Sequence, residues 1–363
     1  MQCHAAICPA SHLLFGDVAA SHHAPSQGAL AMPFETAVVV PLSSTDTFAL
    51  IARTDRLRRW LTVACRVELR VGGAYRWTVI PGRTAAGTVV DLNPGKKMVL
   101  SWGWEVGGDP LPGQSTVTIT LAPVDGGTEV HLVHDGLTHE QTERHAEGWH
   151  HFLGRLVAAG QHGDAGPDPW AAAPDHIDEL SCAEATLAVL QHVLRRIDPR
   201  DAPKQTPCVK YDVAQLADHL MGSMRAIGAA AGAQLPPRDL AAPLEVQLAD
   251  AAQVVLETWR RRGLAGTVEL NSNEVPAVLP VGILCLEFLV HAWDFANAIG
   301  CAVVVSEPVA AFVLEVAREV ITPESRSYAG FDQPVAIGPH AGVLDRLIGF
   351  TGRRPSLVHT SAN

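Results

Sequence analysis

The sequence predicts an α+β domain followed by an all-α domain: an antiparallel sheet wrapped on one long helix, then a helical bundle. Three observations carry this. Short strand-like runs separated by glycine-rich and Asn-Pro-Gly breaks fill the region from Phe34 to His134, and an amphipathic helical segment closes it. The stretch Gly160 to Pro174, rich in Gly, Pro, Ala and Asp, is the one long composition break inside the chain. Beyond it, five helical stretches alternate with proline-bearing connections, where helices stop. The resulting division is a leader over 1–31, a first domain over 32–160, a linker over 161–175 and a bundle over 176–357.

The first 31 residues contain no Lys or Arg, and Pro9 and Asp17 interrupt any apolar core, so they do not read as a secretory signal. They are expected to be a disordered leader, with Met32 as the natural initiator. From Phe34 to Pro41 the chain reads as a strand. Ser43-Ser44-Thr45-Asp46 then caps a helix running to about Trp60. Strands follow at Cys65 to Val71, Ala74 to Ile80, Thr84 to Leu92, Met98 to Trp104, Thr116 to Ala122 and Glu129 to His134. Between Thr138 and Ala159, Trp149, Phe152, Leu153, Leu156 and Val157 recur at helical intervals.

In the second domain the helices are expected at about His176 to Ile197, Asp212 to Ala230, Glu245 to Arg262, Val281 to Ile299 and Glu307 to Ile321, with short extended pieces at Thr267 to Leu270 and Ala302 to Val305. Four such helices suffice for an antiparallel bundle, whose facing side chains are where metal sites are built.

Composition limits the function. At 363 residues, 47% hydrophobic and 18% charged, the chain is large enough for two cores, and no uninterrupted apolar run approaches the roughly 18 residues of a membrane span. A net charge of -11 with scattered basic residues argues against nucleic acid. Arg195-Arg196, Arg260-Arg261-Arg262 and Arg353-Arg354 read as solvated helix-end groups. Seven cysteines without a Cys-x-x-Cys pair do not form a disulfide framework; Cys65, Cys182, Cys285 and Cys301 read as small buried hydrophobes of a reducing, cytoplasmic compartment. Cys208 lies just ahead of a helix whose start would lower its pKa. The expected partner is a small molecule, with no nucleic acid and no membrane; a homodimer is compatible with the sequence but does not follow from it.

One segment places ionisable groups inside an apolar helix. In Leu279 to Ala298, Glu287 and His291 stand four residues apart and Asp294 falls on the same stripe, among Leu284, Leu286, Phe288, Leu289, Val290 and Trp293. Buried groups of this kind must be hydrogen-bonded, paired or metal-bound. A Glu and His pair alone is more often a buried carboxylate simply bonded to an imidazole. A third candidate, His219, sits among Leu216, Leu220 and Met224 at helical spacing on another helix. Two histidines and a glutamate make a three-ligand set of the catalytic zinc type, with one position open. Asp294 reads as a partner orienting the His291 imidazole or, alternatively, as a general base.

Two resemblances follow from ordered motifs. Thr206-Pro207-Cys208, Asp212, Leu216-Ala217-Asp218-His219-Leu220, Glu287-x-x-x-His291-Ala292-Trp293-Asp294 and Asp345 to Arg353 together resemble the DinB-like metal-binding four-helix bundles, in the branch that includes the metal-binding domain of mycothiol-dependent maleylpyruvate isomerase, over Ile177 to Pro355. That resemblance implies His219, Glu287 and His291 as ligands of a divalent metal, zinc or else nickel or another ion. It further implies a low-molecular-weight thiol as cosubstrate and thiol-dependent transfer or isomerisation. In the first domain, Arg56 to Leu61, Gly72-Gly73-Ala74-Tyr75 and Gly148 to Leu153 resemble the START-like helix-grip fold, in the branch named for the activator of the heat-shock-chaperone ATPase, over Phe34 to about Ala159.

The helix-grip resemblance implies a cavity for an apolar or aromatic small molecule, with Trp60, Trp77, Trp102, Trp104 and Trp149 as candidate lining. His131, His134, His139, His145, His150 and His151 are expected at the surface. The competing function is a small-molecule carrier or sensor with a structural metal, and a further one is assistance to a chaperone.

Overall fold

The structure is a computed structural model that describes residues 32–355 apart from 106, 173, 175, 330 and 339. The expected leader over 1–31 lies outside the described residues. Two compact units result, one holding the chain up to Ala52 with Glu68–Tyr75 and Ala85–Asp164, the other Arg53–Val67, Arg76–Thr84 and the chain from Ala165.

The elements of the first part are β1 Phe34–Val40, α1 Ser44–Ala52, α2 Thr54–Leu57, β2 Ala64–Val67, β3 Ala74–Ile80, β4 Arg83–Asn93, β5 Lys97–Trp102, β6 Ser115–Val124, β7 Gly127–Asp135 and α3 His139–His162. The strands form one sheet in the order β1-β7-β6-β5-β4-β3-β2. Period-two burial sets its inner face: Val117, Ile119 and Leu121 of β6 lie opposite His134, Leu132 and Val130 of β7, and all six are buried. The expected helix to Trp60 is interrupted, because Arg53 takes an extended backbone at φ -91° and ψ 134° and a short α2 follows. The strand expected to reach Val71 ends at Val67, where the chain turns through Gly72 and Gly73; a Cβ on Gly73 would stand 2.0 Å from the Glu68 carbonyl oxygen.

Helix α3 closes the first unit against β1 and α1. Thr138 and Gln141 form a reciprocal capping box at its start, and Gly163 in the left-handed region ends it. Its buried positions, His145, Trp149, Phe152, Leu153 and Leu156, make one stripe.

The second unit contains α4 Glu179–Leu194, α5 Val213–Ala230, α6 Leu244–Arg262, the hairpin β8 Thr267–Leu270 and β9 Asn273–Pro276, α7 Val278–Ile299, α8 Glu307–Val320, α9 Pro323–Ala329 and α10 Val343–Phe350. Helices α4 and α5 each pack against both α6 and α7, and α8 packs on α7, α4 and α10. Asp178 with Ser181 and Asp212 with Gln215 cap α4 and α5. Helix α7 begins three residues earlier than its pattern suggests, since Pro280 is tolerated in a first turn. It is long and apolar enough to cross a membrane by length and composition, yet it is a core helix with 78% of its most apolar window buried. Ala302 to Val305 is not a strand; β8 pairs instead with β9.

Segments Arg53–Val67 and Arg76–Thr84 group with this helical unit through specific bonds. The buried Arg58 guanidinium donates to Glu245 at 3.2 Å and Asp250 at 2.9 Å, Gln191 donates to the Val63 carbonyl at 2.9 Å, and the Gly82 amide donates to Glu184 at 2.7 Å. Arg195 is largely shielded, 3.7 Å from Glu245, and Arg260, partly buried, pairs with Glu184. These two arginines are therefore not the solvated helix-end groups that their doublet and triplet suggest.

Candidate metal centre

Helix α7 carries Glu287, His291 and Asp294 on one face, and α5 packs against it so that His219 arrives from the neighbouring helix. The nearest Glu287 oxygen lies 3.2 Å from His219 Nε2 and 3.6 Å from His291 Nε2. One donor atom from each of the three residues falls within 4.8 Å of the other two. A tetrahedral ion with bonds of about 2.1 Å sets its ligand atoms roughly 3.4 Å apart, which matches these separations.

The carboxylate supplies a test of fit. Glu287 Oε2 is shielded from solvent and, among the described residues, accepts no aligned hydrogen bond, although two imidazole nitrogens stand close to it. A buried carboxylate oxygen in that state costs free energy, and a cation held by the same three groups removes the cost. The donor set, two imidazoles and one carboxylate, suits zinc and similar divalent ions.

Behind these three residues stands a second layer. Asp294, fully buried, accepts from His291 Nδ1 at 2.9 Å and takes two hydrogen bonds of 2.8 Å from Arg353. Both of its oxygens are engaged, an arrangement that orients the imidazole and leaves no free oxygen for a base. With Nδ1 donating, His291 presents Nε2 to Glu287 and His219. Burial opposes the charged imidazole, but Glu287 and Asp294 outweigh it and push the His291 pKa up to about 9. Burial likewise opposes the Glu287 carboxylate, and the adjacent His291 and His219 outweigh it, holding its pKa far below the usual range. Asp294 is lowered in the same way by His291 and Arg353.

Arg353 belongs to this layer, although its place in a basic doublet suggests a solvated group. Its side chain is 8% exposed. It follows α10 through Gly352, whose φ of 89° turns the chain and where a Cβ would meet the Asp332 backbone at 2.7 Å. Tyr211, also not singled out, stacks on His219 with centroids 5.0 Å apart and planes 19° from parallel. The fully buried Asp294 was the available signal for a missing cation.

His219, Glu287 and His291 line a cavity of about 690 Å³ together with Cys208, Lys210, Tyr211 and Arg353. Cys208 is not activated by a helix start: the cap of α5 is Asp212, and burial raises the thiol pKa.

In the first unit, Trp102, Trp104 and Trp149 gather around His134 and His145, whose rings are 4.8 Å apart. The indoles of Trp149 and Trp104 donate to His134 Nδ1 at 3.0 Å and His145 Nε2 at 3.2 Å. The other nitrogens then donate to Ser115 Oγ at 2.9 Å and the Gln141 carbonyl at 2.7 Å, which fixes a neutral tautomer for each ring. Burial lowers both pKa values, with His145 adding to the effect on His134. These two histidines are interior, contrary to the expected surface position. Trp60 and Trp77 are also buried and fall in the second unit.

Residues 42–161 match the family model described as activator of Hsp90 ATPase homolog 1-like protein. The N-terminal domain is AHSA1-like. An AHSA1-like protein from Rhizobium etli of known solution structure is 32% identical, covering 40% of this chain and 91% of its own, with a TM-score of 0.34. A crystal structure from Chromobacterium violaceum is 24% identical over 36% of this chain and 96% of its own, with a TM-score of 0.32. An uncharacterized protein of Mycobacterium tuberculosis is 29% identical over 144 residues, 39% of this chain and 77% of the relative.

Proposed function

We propose that the helical unit is a DinB-like metal-binding bundle acting as a thiol-dependent transferase or isomerase on a small apolar or aromatic substrate, and that the AHSA1-like domain captures a small molecule. The observation that carries this reading is the convergence of one donor atom each from His219, Glu287 and His291 within 4.8 Å of one another, beside a cavity.

A divalent ion held there, zinc or a similar metal, supplies a position that stabilises a thiolate or hydroxide at neutral pH. The protein's own groups do the rest. Arg353 keeps Asp294 ionised, Asp294 keeps His291 in one tautomer, and Tyr211 flanks His219. In a transfer step the sulfur forms the new bond to carbon while the thiol proton ends on the substrate or its leaving group.

The test is turnover of a low-molecular-weight thiol, such as mycothiol, with electrophilic aromatic and unsaturated acceptors by metal-loaded and chelated protein. Metal-dependent thiol consumption supports the reading, and turnover unaffected by chelation removes it. A second reading is a carrier or sensor with a structural metal, which would retain an apolar ligand and consume no thiol; the family match bears on its small-molecule binding alone.

A further inference from the structure

We infer that the cavity beside the proposed metal ligands takes an amphipathic small molecule, with an anionic donor head at His219, Glu287 and His291 and an apolar body lying along α7 beneath the β8–β9 hairpin. The head assignment rests on the metal reading above; the apolar body rests on the walls alone.

Helix α7 presents Leu279, Ile283, Leu286 and Val290 to the same cavity as Glu287 and His291. Leu279, Ile283 and Glu287 follow one another at intervals of four, so the apolar wall runs along one helix face up to the ligands. At 1.5 Å per residue the distance from Leu279 to Glu287 is about 12 Å. The core side of α7, including Leu284, Phe288 and Leu289, is fully buried, whereas Leu279 and Ile283 remain partly exposed to the cavity. An apolar surface of that kind next to a polar cluster is the arrangement of a ligand pocket, and 690 Å³ is within the usual range for one.

The hairpin supplies another wall. Leu270 and Val275 line the cavity from β8 and β9. Asn271 and Ser272 form its two-residue turn with φ of 51° and 64°, the left-handed pair that a type I′ hairpin requires. Its base is tied by Arg262 donating to the Thr267 carbonyl at 2.8 Å and by the Ala277 amide donating to Gly266 at 2.9 Å, while Val268 is buried. The hairpin is a two-stranded sheet by itself, so its cavity-facing side chains serve no larger sheet. Lys210 and Glu319 also line the cavity, and Arg353 reaches it while paired with Asp294, so the lining residues alone do not set the sign of the head, which rests on the metal reading.

The experiment titrates the full-length, zinc-loaded protein calorimetrically with n-alkanethiols of two to ten carbons. Each added methylene is expected to tighten binding about fourfold until the chain outruns the wall, from about 0.8 kcal/mol per buried methylene. Leu270→Ser on the hairpin and, independently, Ile283→Ser on α7 should reduce the step to about twofold or less, with metal content and circular dichroism unchanged. Affinity independent of chain length in wild-type protein holding one equivalent of metal would overturn the ligand class, as would equal steps in both variants and the wild type. Chelated protein should keep the step and bind every thiol more weakly. Undiminished affinity after chelation would overturn the metal reading alone and leave the apolar body in place.

Discussion

Arg353 grips Asp294 with two hydrogen bonds of 2.8 Å, one to each carboxylate oxygen, at a point where Asp294 has no solvent exposure. The pair joins the segment that follows α10 to the imidazole that Asp294 orients. Arg353→Met leaves the buried Asp294 with His291 in place of two partners, a loss of up to about 3 kcal/mol in stability. Arg353→Lys should recover part of it, because an ammonium lacks the planar fork. Urea unfolding of the three proteins measures this; identical midpoints would mean that the pair contributes nothing.

Asp294→Asn keeps an acceptor near His291 Nδ1 and removes the charge. Metal affinity is expected to fall about 10–100-fold while the fold persists, the usual consequence of altering the group behind a metal-bound histidine. Competition with a chromogenic chelator reads the change directly.

Metal uptake should release a proton. His291 is held up to about 9 by Glu287 and Asp294, so it is protonated at pH 7.5 in the metal-free protein and must be neutral to coordinate. Calorimetric titration with zinc in buffers of different ionisation enthalpy is expected to show about one proton released at pH 7.5 and fewer above pH 9. Uptake without proton release contradicts the assignment of His291 as a ligand.

The AHSA1-like domain should lose stability in acid. His134 and His145 have folded pKa values below the usual one, so below about pH 6.5 the unfolded chain binds protons that the folded domain refuses. The groups facing them are Trp104 and Trp149, Ser115, Gln141, and near His145 also Arg144 and Asp109. Stability is therefore intact above about pH 6.5 and falls below it, at up to about 2.7 kcal/mol per pH unit for two histidines. His145→Gln should roughly halve that slope in unfolding monitored by tryptophan fluorescence. A flat profile from pH 7.5 to 5.5 would contradict the buried neutral pair.

Glu245 receives Arg58 at 3.2 Å and lies 3.7 Å from Arg195, with side-chain exposures of 2%, 1% and 9%. Glu245→Ala leaves two buried guanidinium groups short of an anion and should cost about 3–5 kcal/mol. A loss under about 1 kcal/mol, typical of an exposed pair, would show that water reaches the cluster.

Much of this was legible before the structure, for reasons specific to each residue. Glu287 and His291 are polar residues at helical spacing in an apolar helix, and His219 repeats the pattern on α5, so a short-range period exposed all three. Arg353 was not legible because it lies 59 residues from Asp294 and sits in a basic doublet that looks solvated. His134 was closer to reach: it alternates with Val130 and Leu132, and His145 stands four residues before Trp149, patterns that place both inside. The grouping of Arg53–Val67 with the helical unit had no local signal, since Arg58 finds Glu245 and Asp250 across some 190 residues of chain. The short α9, α10 and β9 carry too few residues for a period to show.

The most direct test of the metal centre is the metal content of the purified full-length protein, by plasma mass spectrometry, for the wild type and for a His219→Ala, His291→Ala double variant. About one equivalent of zinc or another divalent ion in the wild type, reduced to background in a variant that retains its helical circular dichroism, is the predicted result. Equal metal content in the two proteins, or none in a wild type purified without chelators and then supplied with zinc, would contradict it.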